Sequence, residues 1–155
     1  MNKMKNFQRN GAISNLHIGR EFESMVQEFF TTQKGFNLVA NLSLEIGVDE
    51  KKKKHTFDLG NTEQKVIVEC KSHTWTESGN VPSAKLTVWN EAMYYFHISP
   101  QDYQKIFVIL KDFSQKRNET LAEYYIRTHE HLIPPDIEIW EYNPKTKCAE
   151  KLNLK

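Results

Sequence analysis

The chain has only two cysteines in its 155 residues, Cys70 and Cys148. They lie far apart and read as free thiols in a reducing, cytoplasmic compartment, not as a disulfide framework. No apolar run approaches the ~20 residues of a membrane-spanning helix, so no membrane association is expected. The opening stretch from Met1 to Arg9 is basic and polar, which does not fit a secretory signal. There is no Gly-x-x-x-x-Gly-Lys phosphate loop and no dinucleotide fingerprint, so no small-molecule cofactor is expected. No serine nucleophile can be singled out. An excess of one charge is also missing. The 21 Lys and Arg against 20 Asp and Glu leave a net +1, which argues neither for nor against a polyanionic partner.

What is present suits one packed domain. Hydrophobic residues make up 39% and aromatics 12%, enough for a single core at this length. There is no internal repeat and no linker. Residues 1–16 are expected to be a basic, flexible arm and 17–155 a single domain. Ile18, Phe22, Met25, Val26, Phe29 and Phe30 give residues 17–33 a helical apolar face, stopped by Gly35. An extended run over 36–47 leads to a lysine-rich turn. Strands over 55–59 and 64–71 follow, with Gly60-Asn61 as the turn signal. Leu86, Trp89, Met93 and Phe96 predict a helix over 84–98. The apolar run at 105–111 reads as a strand buried on both faces. Thr120 and Glu123 have capping-box spacing for a helix over 120–132, ended by Pro134-Pro135. Residues 137–142 close the chain as a strand. The predicted class is α/β (α+β), with the order α-βββ-α-β-α-β and a mixed central sheet flanked by helices.

The chemistry-bearing feature is a spaced set of charges. Asp58 precedes Glu69-Cys70-Lys71, which ends the β-branched run Val66-Ile67-Val68. Strand side chains alternate, so Glu69 and Lys71 share a face and Cys70 faces the core behind it. A hairpin would bring Asp58 beside Glu69. Two carboxylates and a lysine are what metal-assisted phosphodiester hydrolysis requires. The carboxylates suit Mg²⁺, a hard cation that prefers oxygen, with Mn²⁺ as a substitute. The lysine can orient the attacking water or stabilise the developing charge. Glu23, on the first helix, lies beside its apolar face.

These segments resemble the PD-(D/E)XK nuclease superfamily. The matching stretches are Gly19-Arg20-Glu21-Phe22-Glu23, Phe57-Asp58-Leu59 and Val66 to Lys71. The resemblance implies a restriction endonuclease-like core and a Mg²⁺-dependent nuclease, an endonuclease acting on DNA. It implies Asp58 and Glu69 as metal ligands, joined by the Cys70 backbone carbonyl. It makes Lys71 the catalytic lysine and Glu23 an auxiliary acid. Phe57 stands where the motif has proline. The next helix lacks a clear glutamine, and Asn90 with Tyr94 is the nearest equivalent.

Further residues invite nucleic-acid contact. Lys51, Lys52, Lys53 and Lys54 form a basic knob, either a phosphate contact or a solvated tip that deters edge pairing. Trp75, in the loop over 72–83, either stacks on a base or pins the loop to the body. His73, Lys85 and Asn90 are weaker candidates. His129 and His131 fall on different faces of a helix, which disfavours zinc. Symmetric double-strand cleavage would need a homodimer. The rival readings are a non-catalytic binding module on the same fold and a plain α/β interaction domain.

Overall fold

The computed structural model describes residues 12–154, with side chains from Ile18 onward. Most of the expected arm, residues 1–11, lies outside the described residues. Helix α1 (Ala12–Lys34) starts earlier than the apolar pattern indicates. Strands β1 (Val39–Ile46), β2 (Lys53–Asn61) and β3 (Val66–Lys71) follow as an antiparallel meander. Helix α2 (Ser83–His97) crosses to β4 (Gln104–Leu110), which pairs parallel with β3. A small hairpin, β5 (Phe113–Ser114) and β6 (Glu119–Thr120), leads into α3 (Leu121–His129) and a 3-10 turn over Glu130–Leu132. Strand β7 (Ile137–Asn143) pairs parallel with β4, and β8 (Cys148–Lys151) pairs antiparallel with β7. The result is one six-stranded mixed sheet in the order β1-β2-β3-β4-β7-β8.

Alternation along β3 and β4 supplies both cores. Val66, Val68, Cys70, Ile106 and Val108 meet Phe22, Val26, Phe29 and Phe30 of α1 on one face. Ile67, Phe107 and Ile109 meet Leu86, Trp89, Met93 and Phe96 of α2 and Tyr125 of α3 on the other. Gly35, at φ +70°, ends α1 as expected. The Thr120 hydroxyl caps α3 by accepting the Glu123 N–H at 3.1 Å.

One sequence expectation needs correction. Gly60-Asn61 is not the β2–β3 turn; both residues remain in β2, and the turn occupies 62–65. There the Asn61 side chain accepts the Gln64 N–H at 2.8 Å, and Lys65 has φ +53°. Gly60 is required for another reason. A Cβ at this position would lie 2.4 Å from Leu42 Cδ2 and 2.8 Å from the Val66 carbonyl oxygen.

The hairpin also changes faces partway along. Phe57 packs into the α2 side and Leu59 into the α1 side, although strict alternation would put them together. The break falls at Asp58. Asn41, opposite it between the pairs Ala40↔Leu59 and Leu42↔Phe57, has φ +57°. Asparagine tolerates that conformation better than most residues. Beyond the break, Leu42, Leu44 and Ile46 pack on the α2 side.

Candidate active site

The break in β2 makes the site. Pairing between β2 and β3 runs from Asn61↔Val66 to Leu59↔Val68. At the next position the Asp58 carboxylate, rather than backbone, accepts the Cys70 N–H at 2.8 Å. The N–H and C=O of a strand residue project to the same edge, so the Cys70 carbonyl faces the same opening. The Cys70 thiol is buried with the α1-side core, as alternation predicts, and burial pushes its pKa well up.

Glu69 and Lys71 lie on the α2 side of β3. Glu69 is only 7% exposed, and its Oε2 is 3.9 Å from Lys71 Nζ. Its Oε1 is 3.7 Å from Nε2 of His55, a residue sequence reasoning did not single out. Glu23, half-buried on α1, has its carboxyl pushed up by burial and then by the Glu69 charge, against Arg20 and Lys71. Asp58 is pushed up to about 8, first by burial, then by Glu69, with the Cys70 N–H opposing. Glu23 adds to that repulsion and Lys71 reduces it. Glu23, Asp58, Glu69 and Lys71 therefore share one electrostatic neighbourhood.

The donor chemistry fits a hard divalent cation. Asp58, Glu69 and the Cys70 carbonyl offer oxygens alone. Carboxylates withdrawn from water and set against one another resist ionising together, and a bound cation would favour their charged forms. Among the described residues, no three His, Cys, Asp or Glu side chains form a ready-made metal cage. Two carboxylates and a carbonyl would leave the remaining positions to water, the usual manner of Mg²⁺.

The other candidates divide. His73 is half-buried beyond β3, and its Nδ1 accepts the Trp89 indole N–H at 3.1 Å. Burial, then Lys85 and Lys71, lower its pKa to about 4, so it is neutral near pH 7. Lys85 is exposed at the start of α2, within electrostatic reach of His73. Lys51, Lys52, Lys53 and Lys54 are exposed at the β1–β2 tip, where Lys52 Nζ donates to the Gly47 carbonyl at 3.0 Å.

Trp75 is not placed for base stacking. It is 6% exposed, its indole N–H donates to the Asp112 carbonyl, and its backbone N–H donates to the Asp112 carboxylate, both at 2.9 Å. Arg117 covers its ring at 5.0 Å. It pins the loop to the body. Asn90 is likewise engaged elsewhere. Its Oδ1 accepts the Tyr125 hydroxyl at 2.8 Å, tying α2 to α3. His129 stacks on Tyr125 and its Nδ1 contacts the Thr128 hydroxyl. No described helix is long and apolar enough to cross a membrane. Comparisons with protein-family models, curated proteins and solved structures each returned no match.

Proposed function

We propose that this chain is a Mg²⁺-dependent nuclease of the PD-(D/E)XK type, with a restriction endonuclease-like core, that hydrolyses phosphodiester bonds in DNA. One observation carries the reading. Glu23 from α1, Asp58 from β2, and Glu69 and Lys71 from β3 gather where β2 leaves β3. A plain interaction domain has no need to repel carboxylates against one another beside a lysine.

Asp58, Glu69 and the Cys70 carbonyl would hold the cation. Bound Mg²⁺, or Mn²⁺ in its place, would acidify a water and offset charge developing on the phosphate. Lys71 orients the attacking water and stabilises charge on the phosphate oxygens. Glu23 reaches the cation through water or sets the local field. In-line attack would leave a 5′-phosphate and a 3′-hydroxyl, the products the resemblance implies. Cutting both strands symmetrically would take two copies of the chain, so a homodimer belongs to the proposal. So does a cytoplasmic location, given the free thiols.

The test is cleavage of supercoiled plasmid and of single-stranded DNA with Mg²⁺ or Mn²⁺. The control is the Glu69→Ala/Lys71→Ala double variant. Metal-dependent nicking by the wild type, abolished in the variant, is expected. No cleavage together with no metal binding would replace the nuclease by a non-catalytic module.

A further inference from the structure

His55 sits in the lysine-rich stretch of β2, where a solvated side chain would be ordinary. It is instead clamped. Its ring stacks on Tyr95 of α2 at 4.0 Å and 26°, and meets the edge of Phe57 at 4.7 Å and 80°. Between them, these two rings fix where the imidazole nitrogens point. Nε2 comes within 3.7 Å of Glu69 Oε1, while Lys71 Nζ stands 3.9 Å from Oε2. The two nitrogens bracket the carboxylate, one at each oxygen. Both distances exceed a hydrogen bond, so the restraint is electrostatic. A buried carboxylate is sensitive to each polar group beside it.

We propose that His55 is a positioning residue that holds the Glu69 carboxylate in register with Asp58 for cation binding. The inference rests on the nuclease reading, because it assigns Glu69 to the cation. Lys71 alone would let the carboxylate turn about its own axis. A second restraint on the other oxygen removes that freedom. Outer partners of metal ligands contribute ~10–100-fold in affinity, and this long contact belongs at the lower end.

The experiment is Mn²⁺ binding by isothermal titration calorimetry and electron paramagnetic resonance at one fixed pH. The proteins are wild type, His55→Ala, His55→Gln, Glu69→Ala and the His55→Ala/Glu69→Ala pair, each with its melting temperature. His55→Ala is expected to weaken Mn²⁺ binding about 10-fold. His55→Gln, which returns a polar nitrogen at similar reach, should recover most of the loss. In the Glu69→Ala background the His55 change should have no further effect. In plasmid cleavage, His55→Ala should raise the Mg²⁺ needed for half-maximal rate by the same factor and keep the saturating rate. Variants that melt lower but bind Mn²⁺ as the wild type does would overturn the positioning role and leave the nuclease standing. Wild type that binds no Mn²⁺ would overturn the positioning role, and wild type that also cleaves no DNA would overturn the nuclease with it.

Discussion

The Asp58 carboxylate takes the Cys70 N–H at the position where the β2–β3 backbone ladder stops. A side chain thus replaces a strand's own carbonyl, and the carboxylate is fixed between two faces of the sheet. Glu23 approaches from the α1 side, and Glu69 stands on the α2 side.

That placement predicts a stability cost without metal. Asp58 is pushed from an ordinary 3.8 to about 8, so the folded protein binds more protons than the unfolded chain between those values. The associated stability is present below the lower value and lost as pH rises through the upper, at about 1.4 kcal/mol per unit of separation at most. In EDTA, melting should fall from pH 5 to pH 8 for the wild type and less for Asp58→Asn. Mg²⁺ at pH 8 should restore the wild type and not the variant. Parallel melting curves for the two proteins in EDTA would refute this.

Lys71→Ala should lower the single-turnover cleavage rate by at least ~10²-fold, the scale for removing one preorganised electrostatic group. Wild-type-like cleavage would remove Lys71 from the mechanism.

His73 gives the opposite pH signature. Its pKa falls from 6.5 to about 4, so its contribution is complete above the upper value and lost as pH drops through the lower. Its ring resonances should stay in the neutral form at pH 5.5 in the folded protein. His73→Gln should flatten acid destabilisation in that window, and a normal imidazole titration would contradict the prediction.

Trp75→Ala should destabilise the fold by about 3–5 kcal/mol, as for other buried aromatic truncations, read by urea unfolding. At a temperature where the variant is folded, DNA affinity should stay within about twofold. A large affinity loss with little change in stability would restore Trp75 as a stacking platform.

Much of this was legible from local pattern. The β-branched run before Glu69, the apolar spacing of α1 and α2, and the Thr120 cap each involve neighbours within a few residues, where periodicity and capping act. The face change at Asp58 was not, because it depends on Asn41 adopting positive φ opposite it. His55 was hidden by the lysines around it; its role appears only when the hairpin folds onto Tyr95, 40 residues on. Trp75 carries the same letter whether it anchors or stacks, and only Asp112 and Arg117 decide. Strand β8 has one buried residue, Ala149, too little for an alternating signal. The β5–β6 hairpin is shorter still, with two residues in each strand.

The sheet order has a consequence for how the chain folds. All four charged groups belong to the first three strands and the helix before them, whose antiparallel contacts are local. Strand β3, however, also pairs with β4, where Val66 meets Gln104. Such distant parallel pairing is slow to form. The expected sequence is a meander that assembles with its carboxylates still hydrated, then a later closure by α2 and β4 that strips their water. Pulsed hydrogen exchange would show β1–β2 amides protected before those of β4. A divalent cation would then act mainly on the closing step, as a late folding partner of a hairpin already made.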